Sequence, residues 1–223
     1  MTNLNPEIIF EDNDILVLNK PSGLVVNVSE TTKEGTLQDW VAENYPGNVG
    51  ERNGLVHRLD RETSGVVVFA KNEAAFENLQ AQFKAREVEK EYLALVFGEL
   101  KDEALEVNAP IDRNPRSRTK MAVVEGGREA VTRIEKVKVI GDGEEKMTLI
   151  KAFPRTGRTH QIRVHLAALG HPVIGDSMYA GQKRSISSRE EFGRLMLHAH
   201  KITFTHPGTG ERVTFEAVVP WKL

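Results

Sequence analysis

The sequence has 223 residues, 39% of them apolar and 28% charged, which is enough for one large domain or two small ones with a real core. With no cysteine it has no disulfide, thiolate nucleophile or zinc–thiolate site. No run approaches the roughly 18–20 apolar residues of a membrane span, and no basic stretch followed by an apolar core opens the chain, so a reducing cytoplasm is the expected setting.

Taken in chain order, Ile8-Ile9-Phe10 and Ile15 to Leu18 read as short strands broken by Glu11-Asp12-Asn13-Asp14. Lys20-Pro21-Ser22-Gly23 stops the second strand, and Leu24-Val25-Val26 resumes it. Leu37, Trp40 and Val41 have helical spacing, with Tyr45-Pro46-Gly47 as the stop. Val66 to Ala70 is a continuous apolar run, the mark of a buried strand. Behind Asn72, a candidate N-cap, Phe76, Leu79 and Phe83 predict a helix over 73–86.

Tyr92 to Phe97 reads as a strand, and the basic stretch 112–120 as a loop. Residues 130–140 are β-rich, Gly141-Asp142-Gly143 signals a hairpin, and Met147 to Phe153 pairs back. Ile162, Leu166 and Leu169 mark a helix that Gly170 ends, and strands over 196–205 and 212–219 finish the chain. The expected class is α+β, a mixed, largely antiparallel central sheet with flanking helices, in a single domain over 1–223.

The formal charge of −2 hides an asymmetry. Residues 1–52 hold nine acids and three bases, a balance of −6 that leaves +4 for the remainder. Arg113, Arg116, Arg118 and Lys120 form one basic run. Arg155, Arg158 and Arg163, with His160 and His165, form another. Such patches suit local phosphate contact, or are solvated loop charges.

Three segments carry candidate chemistry. In His57-Arg58-Leu59-Asp60-Arg61-Glu62-Thr63-Ser64-Gly65, Asp60 stands between two arginines directly before the buried run. Cations beside a carboxylate keep it ionised, as a nucleophile or base requires. The same pattern also suits a loop ion pair that ties strands together. Tyr92, in Glu89-Lys90-Glu91-Tyr92, offers a stacking face and a hydroxyl at a strand's start, or is an edge-of-core tyrosine. In Arg155 to His165, Thr159 can cap the following helix, gathering free amides and three arginines at one helix start, an anion site unless the basic start is merely solvated. Arg163 lies near the edge of that helix's apolar face, where its fork can take a partly buried carboxylate. His198-Ala199-His200 has a ligand-like spacing, but no HExxH pattern accompanies it.

Together these segments resemble the pseudouridine synthases that modify ribosomal and transfer RNA, in the branch named after RluA. His57 to Gly65 is similar to that branch's catalytic motif, Lys90-Glu91-Tyr92 to its second motif, Gly157 to His165 to its third, and Asn19 to Leu24 to its opening strand-turn. Asn27 stands where relatives often have histidine. The resemblance begins within the first ten residues, so no separate N-terminal RNA-binding domain is expected.

The resemblance implies a catalytic fold with a central cleft, and a uridine flipped out of its stack. Asp60 would start the reaction, by attack on the uridine or by removing a ribose proton. The glycosidic bond would break, and carbon 5 of the uracil would join the ribose. Tyr92 would stack on the base and help remove the proton from carbon 5, Arg163 would pair with Asp60 and keep it ionised and aimed, and Arg58 would fill the vacated space or touch the neighbouring backbone. His57, Arg58, Arg61, Arg155, Arg158, His160 and Gln161 are assigned to RNA binding. No cofactor or metal is implied, and a monomer acting on an RNA stem-loop is expected. A silent RNA-binding protein and a uracil-releasing glycosidase are the alternatives.

Overall fold

The computed structural model describes residues 5–28, 34–45, 49, 53–143 and 146–222. Pro46 and Gly47, expected to stop the first helix, lie outside them. The chain divides into two compact units, Met1–Lys90 with Ala199–Leu223, and Glu91–His198. Its class is α+β, with mixed, largely antiparallel β-structure.

The first unit contains β1 (Glu7–Glu11), β2 (Ile15–Lys20), α1 (Leu37–Asn44), β3 (Ser64–Ala70) and α2 (Glu73–Ala85). It also takes most of β10 (Leu197–Thr205) and all of β11 (Arg212–Glu216). Strand order is β1-β2-β3-β10, with β11 on β10. Every residue of β3 is buried, as a continuous rather than alternating apolar run requires. Val66, Val68 and Ala70 pack with Ala75 and Leu79 of α2, each large aliphatic contributing about 1.5–3 kcal/mol by burial. Asn72 caps α2 by accepting from Ala75 N at 2.9 Å, and Arg86 closes it in the left-handed region.

Leu24-Val25-Val26 does not resume a strand. The carbonyls of Val25 and Val26 instead accept from Leu37 N (2.8 Å) and Gln38 N (2.9 Å), two amides that the start of α1 leaves unsatisfied. Thr36 and Asp39 complete that start as a capping box.

The second unit takes most of β4 (Glu89–Phe97), and β4, β9 (Met147–Pro154), β8 (Val131–Ile140) and β5 (Ala104–Asn108) are neighbours in that order, each pair antiparallel. Two helices, α3 (Gln161–Ala168) and α4 (Gln182–Phe192), follow them in the chain. A Schellman motif ends α3: His171 N donates to Leu166 O, Gly170 N to Ala167 O, and Gly170 takes φ 84°.

The basic stretch expected as a loop is a two-stranded hairpin, β6 (Ile111–Asn114) and β7 (Ser117–Val123). Asn114 folds its turn by accepting from Arg116 N at 2.8 Å. Charge hid this element, because neither strand presents an apolar alternation. The sequence reading also has no counterpart for α4. Its buried residues are Ser185 and Ser188, while Ile186 is 54% exposed, so no apolar stripe exists to find.

Candidate active site

The turn that carries Asp60 is fixed from below by the end of β2. Thr63 N donates to Asp60 O at 3.2 Å, closing a turn around Arg61 and Glu62. Lys20 is fully buried, and its Nζ donates to three carbonyls: Leu24 (2.8 Å), Pro21 (2.9 Å) and Arg61 (3.1 Å). Ser22 Oγ donates to Glu62 O, Gly23 N to Arg61 O, and Arg61 Nε back to Gly23 O. The opening strand-turn of the sequence is therefore the clamp of the Asp60 turn. The reading from sequence missed Lys20 as a site residue; its signal was a lysine ending a buried run, directly before proline.

Gly65 sits opposite Lys20 in the β2–β3 register and takes φ 114°. A Cβ there would lie 2.1 Å from the Ala199 carbonyl oxygen, so the approach of β3 to β10 requires glycine. Around the turn, Arg58 is exposed, Leu59 is buried and Asp60 is half-buried.

His57 is not a cation for phosphate. Its Nε2 accepts from Val68 N at 3.0 Å, and its ring stacks on Phe83 with centroids 5.0 Å apart. Burial, with the Lys90 ammonium adding to it, pushes its pKa down to about 3. The imidazole is therefore neutral and serves β3. Lys90 itself is pushed down to about 8 by burial.

In the second unit, Tyr92 is half-buried on β4, in register with Ala152. Lys90 lies two residues earlier on the same strand, hence on the same face.

The start of α3 differs from the expected one. Thr159 does not cap it. The N-cap is His160, left-handed at φ 56° and without a side-chain cap bond. The buried amide of Gln161 knots this segment together. Its Oε1 accepts from Thr156 Oγ1 (2.7 Å) and Arg158 N (3.0 Å), and its Nε2 donates to Val131 O (3.0 Å) and Thr132 Oγ1 (2.9 Å). An amide so fully engaged with its own chain is structural, which corrects its assignment to RNA. His165 is likewise fully buried, bonded to Thr132 Oγ1 and Ala109 O, and burial lowers its pKa, so it adds no charge to a patch. Arg155 is exposed, 3.4 Å from Glu106, and Arg158 Nε donates to Glu129 O.

Arg163 is buried, 3% exposed, and its fork takes a fully buried carboxylate, Asp176. Nε donates to Oδ2 at 2.7 Å and Nη2 to Oδ1 at 2.9 Å. Met178 N and Tyr179 N also donate to Oδ1, at 2.8 and 3.1 Å. The aromatic face of Tyr179 lies 5.2 Å from the guanidinium carbon. Asp176 was not legible as a partner, because it sits in an unpatterned loop beyond the helix.

Among the described residues, Asp12, Asp14 and His206 place three potential metal-ligand atoms within 4.8 Å of one another. His206 Nδ1 accepts from Gly208 N and Thr209 N, so Nε2 carries the hydrogen, and it faces Asp12 Oδ2 at 2.9 Å. A protonated nitrogen is no ligand; this cluster ties one turn to another.

Residues 14–168 match the family model described as RNA pseudouridylate synthase.

The chain belongs to the RNA pseudouridylate synthase family.

It is 39% identical, over 95% of its length, to the dual-specificity RNA pseudouridine synthase RluA of Haemophilus influenzae, of which it covers 92%. It is also 39% identical, over 97% of its length, to the ribosomal large subunit pseudouridine synthase D of Xanthomonas campestris, of which it covers 66%. The chain spans about two thirds of the length of several curated relatives that it matches. Among solved structures, human RNA pseudouridylate synthase domain containing 1 is similar at a TM-score of 0.78 and 31% identity, covering 97% of this chain and 84% of that one. The matched segment contains Asp60, Tyr92 and Arg163, whereas Asp176 and Tyr179 lie beyond it.

Proposed function

We propose that this protein isomerises specific uridines in structured ribosomal or transfer RNA to pseudouridine, with Asp60 starting the reaction. The observation that carries this reading is the family match across the Asp60 motif, together with the clamp that holds the Asp60 turn at the head of a wholly buried strand. The names of the relatives in Haemophilus and Xanthomonas, dual-specificity and ribosomal large subunit, support the choice of RNA class.

In this reading the uridine leaves its stack to reach the protein, because its glycosidic bond cannot be reworked within a helix. Asp60 attacks the uridine or removes a ribose proton, the carbon–nitrogen bond breaks, and the freed uracil rotates to join the ribose through carbon 5. Carbon 5 gives up its hydrogen and nitrogen 1 gains one, so the atoms balance with no second substrate and no redox partner. Tyr92 supplies the face on which the base stacks, and Arg163 the cation that favours the ionised carboxylate. Exposed Arg58, Arg113, Arg116 and Arg118 meet phosphate, a reading supported for the hairpin by the absence of an acid between Arg113 and Lys120.

The test is incubation of ribosomal and transfer RNA transcripts with wild type and Asp60→Asn, measuring pseudouridine and free uracil together. Wild type forms pseudouridine without free uracil, and the variant forms neither while still binding RNA. Release of uracil by wild type would assign a glycosidase instead, and RNA binding without either product a silent RNA-binding protein.

A further inference from the structure

We propose that Tyr179 is a positioning residue for Arg163, and that it couples the seating of RNA on the β6–β7 hairpin to turnover. This rests on the functional reading above, in which Arg163 serves the reaction and the hairpin meets phosphate.

Tyr179 touches every part of that path. Its hydroxyl accepts from Met121 N on β7 at 3.0 Å and hydrogen-bonds His160 Nδ1 at 2.8 Å. Its ring stands edge-on to His160, with centroids 5.7 Å apart, and lies 5.2 Å from the Arg163 guanidinium carbon. Its backbone N–H donates to Asp176 Oδ1, the oxygen that also receives Arg163 Nη2. A second strut runs beside it: Lys120 Nζ on β7 donates to the carbonyl of Met178 at 2.6 Å.

The hairpin thus has two fixed points on the 176–179 loop, and that loop holds the fork of Arg163. Toward its turn the hairpin carries exposed Arg116 and Arg118, and exposed Arg113 stands opposite Met121 in the β6–β7 register. A phosphate backbone seated on those arginines acts on β7, and β7 is bonded to the residue that walls the guanidinium. A guanidinium fixed by a bidentate carboxylate below and an aromatic face beside it has little freedom left. Small displacements of such a group carry large penalties in rate. Tyr179 lies outside the segment shared with the family model, so the motifs do not assign it.

The experiment is a double-mutant cycle on the intact protein with ribosomal and transfer RNA transcripts, using Tyr179→Phe and Arg116→Gln. Single-turnover rate at saturating enzyme and RNA affinity are measured for each. Tyr179→Phe keeps the ring and the backbone bond and loses only the hydroxyl, so the fold survives, as the urea midpoint will report. It lowers the saturated rate roughly tenfold or more, with RNA affinity unchanged. Arg116→Gln weakens affinity, reduces the salt dependence of binding and also lowers the saturated rate. In the double variant the rate loss is smaller than the product of the two, because the path is already cut.

A saturated rate for Tyr179→Phe equal to wild type overturns the positioning role, and strictly multiplicative losses overturn the coupling. Active wild type with either result refutes this inference alone. Wild type that forms no pseudouridine overturns the functional reading, and this inference with it.

Discussion

Lys20 Nζ donates to the carbonyl oxygen of Arg61 at 3.1 Å, across 41 positions of sequence. A fully buried ammonium thereby holds the turn that begins at Asp60. Its charge is met by three carbonyl dipoles, an arrangement that fixes their positions more rigidly than a neutral side chain could.

Lys20→Met keeps most of the stem and removes all three bonds. Three carbonyls lose their partner and pay a desolvation cost. The expected cost is about 2–4 kcal/mol. At temperatures where the variant is still folded, pseudouridine formation falls further than RNA affinity, because the Asp60 turn is no longer held. Urea denaturation and single-turnover assays read the two effects separately, and unchanged turnover would remove Lys20 from the site.

Arg163 and Asp176 form a buried pair in which each charge depends on the other. Arg163→Leu leaves the buried Asp176 carboxylate without its guanidinium and costs about 3–5 kcal/mol of stability, and Asp176→Asn also destabilises. The double variant Arg163→Leu with Asp176→Leu costs less than the sum, which a double-mutant cycle in urea detects. For turnover the order is graded: Arg163→Lys keeps the charge but not the fork, and is milder than Arg163→Leu. Asp176→Asn lowers turnover with little change in RNA affinity. A fall in affinity with normal saturated turnover would instead assign Arg163 to phosphate.

His57 makes stability depend on pH in a defined direction. Its unfolded pKa is near 6.5 and its folded pKa is about 3, so between these values the unfolded chain binds more protons. Its contribution is complete above about pH 6.5 and is lost progressively as pH falls toward 3, at up to about 1.4 kcal/mol per pH unit. His165, also lowered by burial, acts in the same direction. His57→Gln offers an oxygen to Val68 N without titrating. Urea midpoints between about pH 7 and pH 5 should therefore fall less steeply in the variant. Parallel profiles would show that His57 does not titrate on unfolding.

Local signals made much of the fold legible. β3 is a continuous apolar run, and α2 has both its apolar spacing and its Asn72 cap. The hairpin and α4 were not legible, because charge dominates one and the buried face of the other is serine. Asp60, Tyr92 and Arg163 stood out as motif residues, but what positions each of them did not. Lys20 acts through carbonyls with no sequence signature, and Asp176 meets Arg163 only once the loop after α3 has folded back. Gln161 and His165 misled for a related reason. Polar side chains in a basic segment read as surface groups, yet here they satisfy the backbone and side chains of buried strands.

The first unit is assembled from two separated stretches, whereas the second is continuous from Glu91 to His198. A chain that leaves the ribosome from its N-terminus therefore has the whole second unit available before the first can be finished. Ala199, whose carbonyl faces Gly65 where β3 begins, emerges only after the second unit. β3, behind the Asp60 turn, thus has its β2 neighbour early and its β10 neighbour only then. A nascent chain halted before β10 would carry the whole Asp60 motif in sequence without the strand that lies beside β3.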